Sequence, residues 1–345
     1  MTFTRSSGIL LHPTSLPGRF GIGDLGPQAH GWIDFLAQSR TGLWQVLPLG
    51  PTGYGDSPYQ TFSAFAGNPY LISPEALLQE GLLAGDDLAD TPEFPRGEVD
   101  YGAVIPWKLD LLRRAFQKFQ LDPPSGIQKD FLGFQTAASH WLEDYALFRA
   151  VKDSQNGAPW WTWEESLRDH EPDALAGYRR GNKQEIEQIK FRQFLFFKQW
   201  EEVRDHGHRN GIQIIGDIPI FVAHDSADVW ANPELFYLDD TGQPTVVAGV
   251  PPDYFSETGQ LWGNPLYDWE AHAADGYSWW LNRLRAVLSR VDIVRLDHFR
   301  GFAGYWEIPG DAETAVKGRW MDGPGADFFR TVRETLGELP IIAED

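Results

Sequence analysis

The chain has no cysteine, which excludes structural disulfides and thiolate catalysis and agrees with a reducing cytoplasm, the expected location. Long apolar runs are missing too. None approaches the ~20 residues of a membrane helix, and the start, Met1-Thr-Phe-Thr-Arg-Ser-Ser7, lacks the apolar core of a signal peptide. Basic residues are scarce. Against 49 Asp and Glu stand 29 Lys and Arg, and the net charge of −20 would repel nucleic acid and anionic membranes while suiting a neutral substrate. No internal repeat or low-complexity tract is present. Aromatic residues, in contrast, are abundant: 15 Trp, 11 Tyr and 22 Phe, or 14% of 345 residues. Most must be packing, and the excess is also compatible with a carbohydrate ligand, whose flat faces stack on such rings.

In chain order, Gly8-Ile-Leu-Leu11 reads as a first strand. Gly21-Ile-Gly-Asp-Leu-Gly26 matches a dinucleotide fingerprint only formally. Pro13 and Pro17 separate it from the strand, and Asp24 would stand where a phosphate's charge belongs, so a glycine-rich entry into a helix over 27–39 is the better reading. That helix carries Ile33, Phe35 and Leu36, and Trp44-Gln-Val-Leu-Pro-Leu49 reads as a second strand, completing a βαβ unit. A long Gly-, Pro- and Tyr-rich loop follows to Leu71. From 73 to 210 the pattern is helical, with helices expected at Ser73-Pro-Glu-Ala and over 107–120, 130–152 and 185–209. The last bears Ile186, Ile189, Phe194, Phe197 and Trp200 at core spacing, and His206 and His208 read as its polar end and not as metal ligands. A third strand over 212–221 carries Asp217. A hairpin over 236–247 leads into a second aromatic loop over 249–269, and a helix over 277–289 delivers a fourth strand. After a helix over 323–337, residues 340–345 begin a fifth. The expected fold class is α/β: a (β/α)8 barrel, of which about the first five strands are present, formed by 1–72 and 211–345, with 73–210 as a mainly helical insertion.

The fourth strand, Val291-Asp-Ile-Val-Arg-Leu-Asp-His-Phe-Arg-Gly301, is the most informative stretch. It is apolar and β-branched on entry and turns polar at its carboxyl end. Alternation puts Arg295, Asp297 and Phe299 on one face, Leu296 and His298 on the other. Leaving either charge buried and unpaired would cost roughly 3–5 kcal/mol. The stretch is therefore either an ion pair closing a strand end or a catalytic carboxylate held ionised by its arginine. In a barrel, Asp297 and Glu344 end adjacent strands about 4.8 Å apart, which suits the ~5–5.5 Å of a retaining glycosidase and not the ~6.5–9.5 Å of an inverting one. Asp297 would attack the anomeric carbon. Glu344, its pKa raised by an enclosed site and a neighbouring negative charge, would act as acid and then base.

These residues bring the chain to a family. It resembles the amylomaltases, the 4-α-glucanotransferases of glycoside hydrolase family 77 in the α-amylase superfamily, along essentially its whole length. The most specific segments are Pro51-Thr-Gly-Tyr-Gly-Asp-Ser-Pro-Tyr59, Gly216-Asp-Ile-Pro-Ile220, Gly249-Val-Pro-Pro-Asp-Tyr-Phe255 and Arg295-Leu-Asp-His-Phe-Arg-Gly301. The resemblance implies transfer of α-1,4-glucan segments between maltooligosaccharide, starch or glycogen acceptors, without organic cofactor or required metal. It makes Asp297 the nucleophile, Glu344 the acid/base and Arg295 the partner of the nucleophile. Ser57, Tyr59, Asp217 and His298 would bind sugar near the cleaved bond. Asp253, Tyr254, Phe255, Gln260 and Trp262 would curl the glucan and exclude water, and Tyr54 with Tyr101 would form a secondary glucan site. The family also has a third catalytic carboxylate, in a His-Asp pair on a later barrel strand, which this sequence does not reach. The 345 residues alone are accordingly expected to be inactive and poorly stable, with two open sheet edges. Two other readings stand beside transfer. An α-amylase-like hydrolase would yield only shorter products from maltotriose, and a non-catalytic glucan-binding module would be indifferent to Asp297→Asn.

Overall fold

The computed structural model describes residues 5–345; the start at residues 1–4 lies outside the described residues. Two strands and a helix come first: β1 (Gly8–Leu10), α1 (Pro27–Gln38) and β2 (Leu43–Gln45). Seven helices follow, α2 (Pro74–Gln79), α3 (Tyr101–Leu121), α4 (Ile127–Ala137), α5 (Ser139–Ser154), α6 (Glu165–Arg168), α7 (Pro172–Gly181) and α8 (Lys183–Arg209). The chain then returns to strands with β3 (Gln213–Pro219), α9 (Ala227–Ala231), β4 (Val246–Val250) and β5 (Gln260–Pro265). It continues through α10 (Trp269–Ala274), α11 (Ser278–Leu288), β6 (Ile293–Asp297), β7 (Gly304–Pro309), β8 (Arg319–Asp322), α12 (Gly325–Leu336) and β9 (Ile341–Ala343).

The five strands read from the sequence form one parallel sheet in the order β1-β2-β3-β6-β9. Each joins the next through at least one helix, as parallel pairing requires. The register sets Asp217 beside Arg295 and Leu296 beside Ala343, so the polar carboxyl ends of three strands lie at one level. Gly216 permits this closeness. A Cβ there would come within 2.7 Å of Val291 Cγ1, nearer than side chains pack.

Aromatic packing explains most of the ring content. Phe116, Phe119, Phe131, Phe191 and Phe194 interlock between α3, α4 and α8, with Phe119 stacked on Phe191 at 4.5 Å. The fully buried Trp44 and Trp200 tie β2 to α8, and each indole N–H reaches a main-chain oxygen, of Leu11 at 2.8 Å and Arg290 at 2.9 Å. Burying such rings contributes roughly 1.5–3 kcal/mol apiece.

Several expectations change. The helix expected over 107–120 begins six residues earlier, because Asp100 caps it through Ala103 N at 3.1 Å and Pro106 is tolerated within it. Residues 130–152 form two helices meeting at Ala138, which lets α4 and α5 each pack on α8. Phe35 is half exposed and stacks on Trp32 instead of entering the core. The hairpin over 236–247 is reduced to one bridge, Leu238 to Pro244, closed by the Asp239 carboxylate accepting N–H groups of Thr241 and Gln243. The loop expected over 249–269 contains β5, which belongs to an antiparallel sheet β5-β4-β7-β8 that the sequence did not suggest. Among the described residues, no helix is long and apolar enough to cross a membrane.

Candidate active site

At the carboxyl end of β6 the alternation of side chains stops. His298 takes a left-handed conformation (φ 52°, ψ 48°), and the chain enters a short turn over Phe299–Phe302. Phe299 is therefore carried off the face of Arg295 and Asp297, contrary to a regular strand. The turn brings two main-chain N–H groups onto Glu344: His298 N donates to its Oε2 at 2.9 Å and Phe299 N to its carbonyl oxygen at 2.6 Å. Glu344 N in turn donates to Leu296 O at 3.0 Å. Glu344 is thus fixed against the end of β6.

Arg295 stands at the centre. Its Nη1 lies 2.8 and 2.9 Å from the two oxygens of Asp217 and 2.9 Å from Asp297 Oδ1, and its Nη2 lies 3.5 Å from Glu344 Oε1. The sequence paired this arginine with Asp297 alone; in the structure it serves three carboxylates from three strands. Tyr59, on the loop after β2, donates its hydroxyl to Asp217 Oδ2 at 2.7 Å. The Asp217 side chain is buried, whereas about a third of each of the Asp297 and Glu344 side chains is open. The open pair is the one a substrate can meet.

Burial pushes the Asp217 carboxyl above its ordinary range, although the Tyr59 hydroxyl and Arg295 pull it down. Burial and the bond to Asp217 also raise the Tyr59 phenol, which stays a donor. Burial lowers the His298 imidazole and outweighs the opposing pull of Asp297 and Glu344. Burial alone would lower Arg295, but Asp217, Asp297 and Glu344 outweigh it and hold the guanidinium charged.

A cleft of about 390 Å³ opens beside the cluster, within the usual range for small-ligand sites. Tyr59, Trp262, Asp297 and His298 line it, as does Asn264, which no motif singled out because its value comes from β5. Trp262 packs edge-on against the His298 ring at 4.9 Å and donates its indole N–H to Gln260 Oε1 at 3.0 Å. Ser57 stands next to the site, its hydroxyl accepting from Tyr59 N at 3.3 Å.

The remaining expected residues lie apart. Tyr254 and Phe255 stand fully in solvent, and the Asp253 carboxylate is taken up within its own turn by the N–H groups of Phe255 and Ser256, both at 2.8 Å. Tyr54 is 91% exposed. Tyr101 is half-buried at the start of α3, with Asp56 of the Tyr54–Asp56 turn raising its phenol as the second influence after burial. His206 and His208 each meet a single carboxylate, Asp34 and Asp292. Asp24 sits at the start of α1 and accepts from Gly26 N at 2.9 Å, where a bound phosphate would have to lie. Among the described residues no group of three or more His, Asp or Glu is placed to hold a metal ion.

Residues 11–345 match the family model described as 4-alpha-glucanotransferase. The chain is 52% identical over 343 residues to the 4-alpha-glucanotransferase of Synechocystis sp., covering 99% of this chain and 68% of that protein. It is 51% identical over 345 residues to that of Thermus thermophilus, covering 100% and 68%. Among solved structures, an amylomaltase from Streptococcus agalactiae in complex with acarbose superposes with a TM-score of 0.95 at 42% identity, over 99% of this chain and 69% of that one. An amylomaltase from Corynebacterium glutamicum, at 21% identity and a TM-score of 0.78, shares the fold.

Proposed function

The chain belongs to the 4-alpha-glucanotransferases of glycoside hydrolase family 77, and on that premise we propose that the carboxylates around Arg295 move α-1,4-glucan segments by a retaining double displacement. In the first half, an Asp297 oxygen bonds to the anomeric carbon while the bond from that carbon to the leaving 4-oxygen breaks. Glu344, protonated, gives its proton to that oxygen, and a glycosyl ester of Asp297 remains. In the second half, the 4-hydroxyl of an acceptor glucan gives its proton to Glu344 and attacks the same carbon. The ester breaks, Asp297 is freed, and the original configuration returns.

The observation that carries this reading is the contact of one guanidinium with Asp297 at 2.9 Å and Glu344 at 3.5 Å. Arg295 offsets the charge of the nucleophile before attack, and its Asp217 contacts fix where it stands. Tyr59, Ser57 and His298 would bind the sugar at the cleaved bond, whereas Asp217, expected there from the resemblance, is buried with both oxygens engaged and would act through Arg295. The segment from Asp253 through Tyr254, Phe255 and Gln260 to Trp262 would fold over the glucan, and Tyr54 with Tyr101 would hold a second glucan. The reading includes a (β/α)8 barrel built from 1–72 and 211–345 with 73–210 inserted. That is supported by one parallel sheet drawing strands from both segments and by the seven helices between β2 and β3. It also includes a cytoplasmic location, supported by the lack of cysteine.

Incubation of the complete protein with maltotriose is the direct test. Glucose together with longer oligomers is expected, and both should vanish in Asp297→Asn and in Glu344→Gln. Azide added to Asp297→Gly should yield a glycosyl azide. Shorter oligomers alone would favour a hydrolase, and product formation that survives Asp297→Asn would sink the assignment of the nucleophile.

A further inference from the structure

Behind β3, a small pocket of about 50 Å³ lies between the parallel sheet and α11. Gly216 and Asp217 contribute to one wall; Arg283 of α11, Arg290 just beyond that helix and Ser63 from the loop after β2 contribute to others. Both arginines are almost wholly buried, at 2% and 7% exposure. Neither forms an ion pair with a carboxylate among the described residues.

Their hydrogen bonds leave charge and donors unmet. Arg283 gives Nη1 to Ile220 O at 2.9 Å and to the Tyr267 hydroxyl at 3.4 Å and Nη2 to Pro219 O at 2.6 Å, and its guanidinium lies 4.7 Å from the centre of the Trp280 ring, while its Nε has no partner. Arg290 gives Nη2 to Phe65 O and lies 4.9 Å from the centre of the Phe197 ring, and its Nε is likewise without a partner. Burial lowers Arg290 to about 10, with no acidic neighbour acting against it; Arg283 feels Asp228, whose carboxylate is already accepting from Ala64 N at 2.7 Å. Ser63 Oγ accepts from Phe65 N at 3.1 Å and Ala66 N at 3.2 Å, so its own proton remains to be donated. Asp217, although it contributes to the wall, has its carboxylate oxygens engaged by Arg295 and Tyr59, which do not line the pocket. A dry apolar filling would leave the Arg290 charge without an acidic neighbour and two Nε donors unmet, which is unfavourable beyond the loss of a neutral hydrogen bond.

We propose that this pocket is a binding site for a small monovalent anion of the halide class, held by Arg290, Arg283 and the Ser63 hydroxyl. Its size admits a halide or a few waters but not a phosphate ester or a sugar acid. The anion neutralises Arg290 and stiffens the junction of α11 with the loop after β2. Through Gly216 it also stands one residue from Asp217, whose carboxylate anchors Arg295. None of this depends on which reaction the site performs.

Two measurements on the whole protein test it. Crystals grown in bromide should give an anomalous peak between Arg283, Arg290 and Ser63; a pocket holding only water would overturn the proposal. Chloride titrated against gluconate at constant ionic strength should raise Tm saturably, and Arg290→Met should abolish the rise. A salt response that is linear and the same in the variant is a general salt effect and would also overturn it. The bromide experiment uses the unaltered protein, so the test stands even where Arg290→Met fails to fold.

Discussion

Arg295 Nη1 lies closer to Asp217, at 2.8 and 2.9 Å, than Nη2 lies to Glu344, at 3.5 Å, and Asp217 is the most buried of the three carboxylates around it. Asp217 thus anchors the arginine, and Asp297 and Glu344 use the positive charge held there. Asp217→Asn removes the anchor while leaving both reacting carboxylates in place. The freed guanidinium is expected to move toward Asp297 and Glu344, lowering kcat by about 10²-fold, the scale of an ångström-sized misplacement. Steady-state kinetics on maltotriose check this, with Tm measured in parallel. A variant with unchanged kcat would show that Arg295 holds its place without Asp217.

Gly216 makes a second, purely steric prediction about the same strand. A Cβ there would meet Val291 Cγ1 at 2.7 Å and Cγ2 at 2.9 Å. Gly216→Ala is expected to destabilise by about 1–3 kcal/mol and to displace its neighbour Asp217. Val291→Ala removes both clashing methyl groups. The double variant should therefore be more stable than the sum of the single effects, a coupling that denaturant titration of the four proteins would measure.

The parallel sheet was legible because its strands are short apolar runs whose charged residues cluster at one end. The antiparallel sheet was not. Gln260-Leu-Trp-Gly-Asn-Pro265 has the composition of a loop and becomes a strand only because β4 pairs with it and, on its other edge, with β7 more than fifty residues away. Asp297, Glu344 and Arg295 could be picked out from charge at strand ends, and register then carried them together. The Tyr59 bond to Asp217 spans 158 positions, and no local pattern announces it. Alternation failed at Phe299 for a definite reason: the left-handed turn at His298 breaks the period on which it rests. Asn264 was missed for want of any signal but its place on β5.

Stability should depend on pH through three histidines that burial keeps neutral. Burial lowers His12, His170 and His272 from 6.5 to about 4. In the unfolded chain these imidazoles take up protons as pH falls through about 6.5, whereas the folded protein resists until about 4. Their contribution is therefore fully present above pH 6.5 and lost as pH falls between those limits, on the order of 1 to 3 kcal/mol each. His272 has no exposed surface, and it packs among Tyr267, Trp269 and Trp279. His272→Phe keeps the ring and removes the titration. Tm plotted from pH 4 to 7 should rise less steeply in the variant, and parallel curves would show that His272 contributes nothing to the slope.

His298 combines a backbone role with a side-chain role, and two substitutions separate them. Its φ of 52° is disfavoured for most residues but accepted by Asn, and the turn it makes presents the N–H groups of His298 and Phe299 to Glu344. Its ring meets Trp262 edge-on and lines the cleft. His298→Asn preserves the turn and loses the ring, so Tm should hold while KM for maltotriose rises. His298→Ala loses both; it should also destabilise by about 1 kcal/mol or more and lower kcat, because Glu344 is no longer held by the turn. Equal kinetics in the two variants would show that the left-handed backbone does not position Glu344, and that the imidazole accounts for the whole effect.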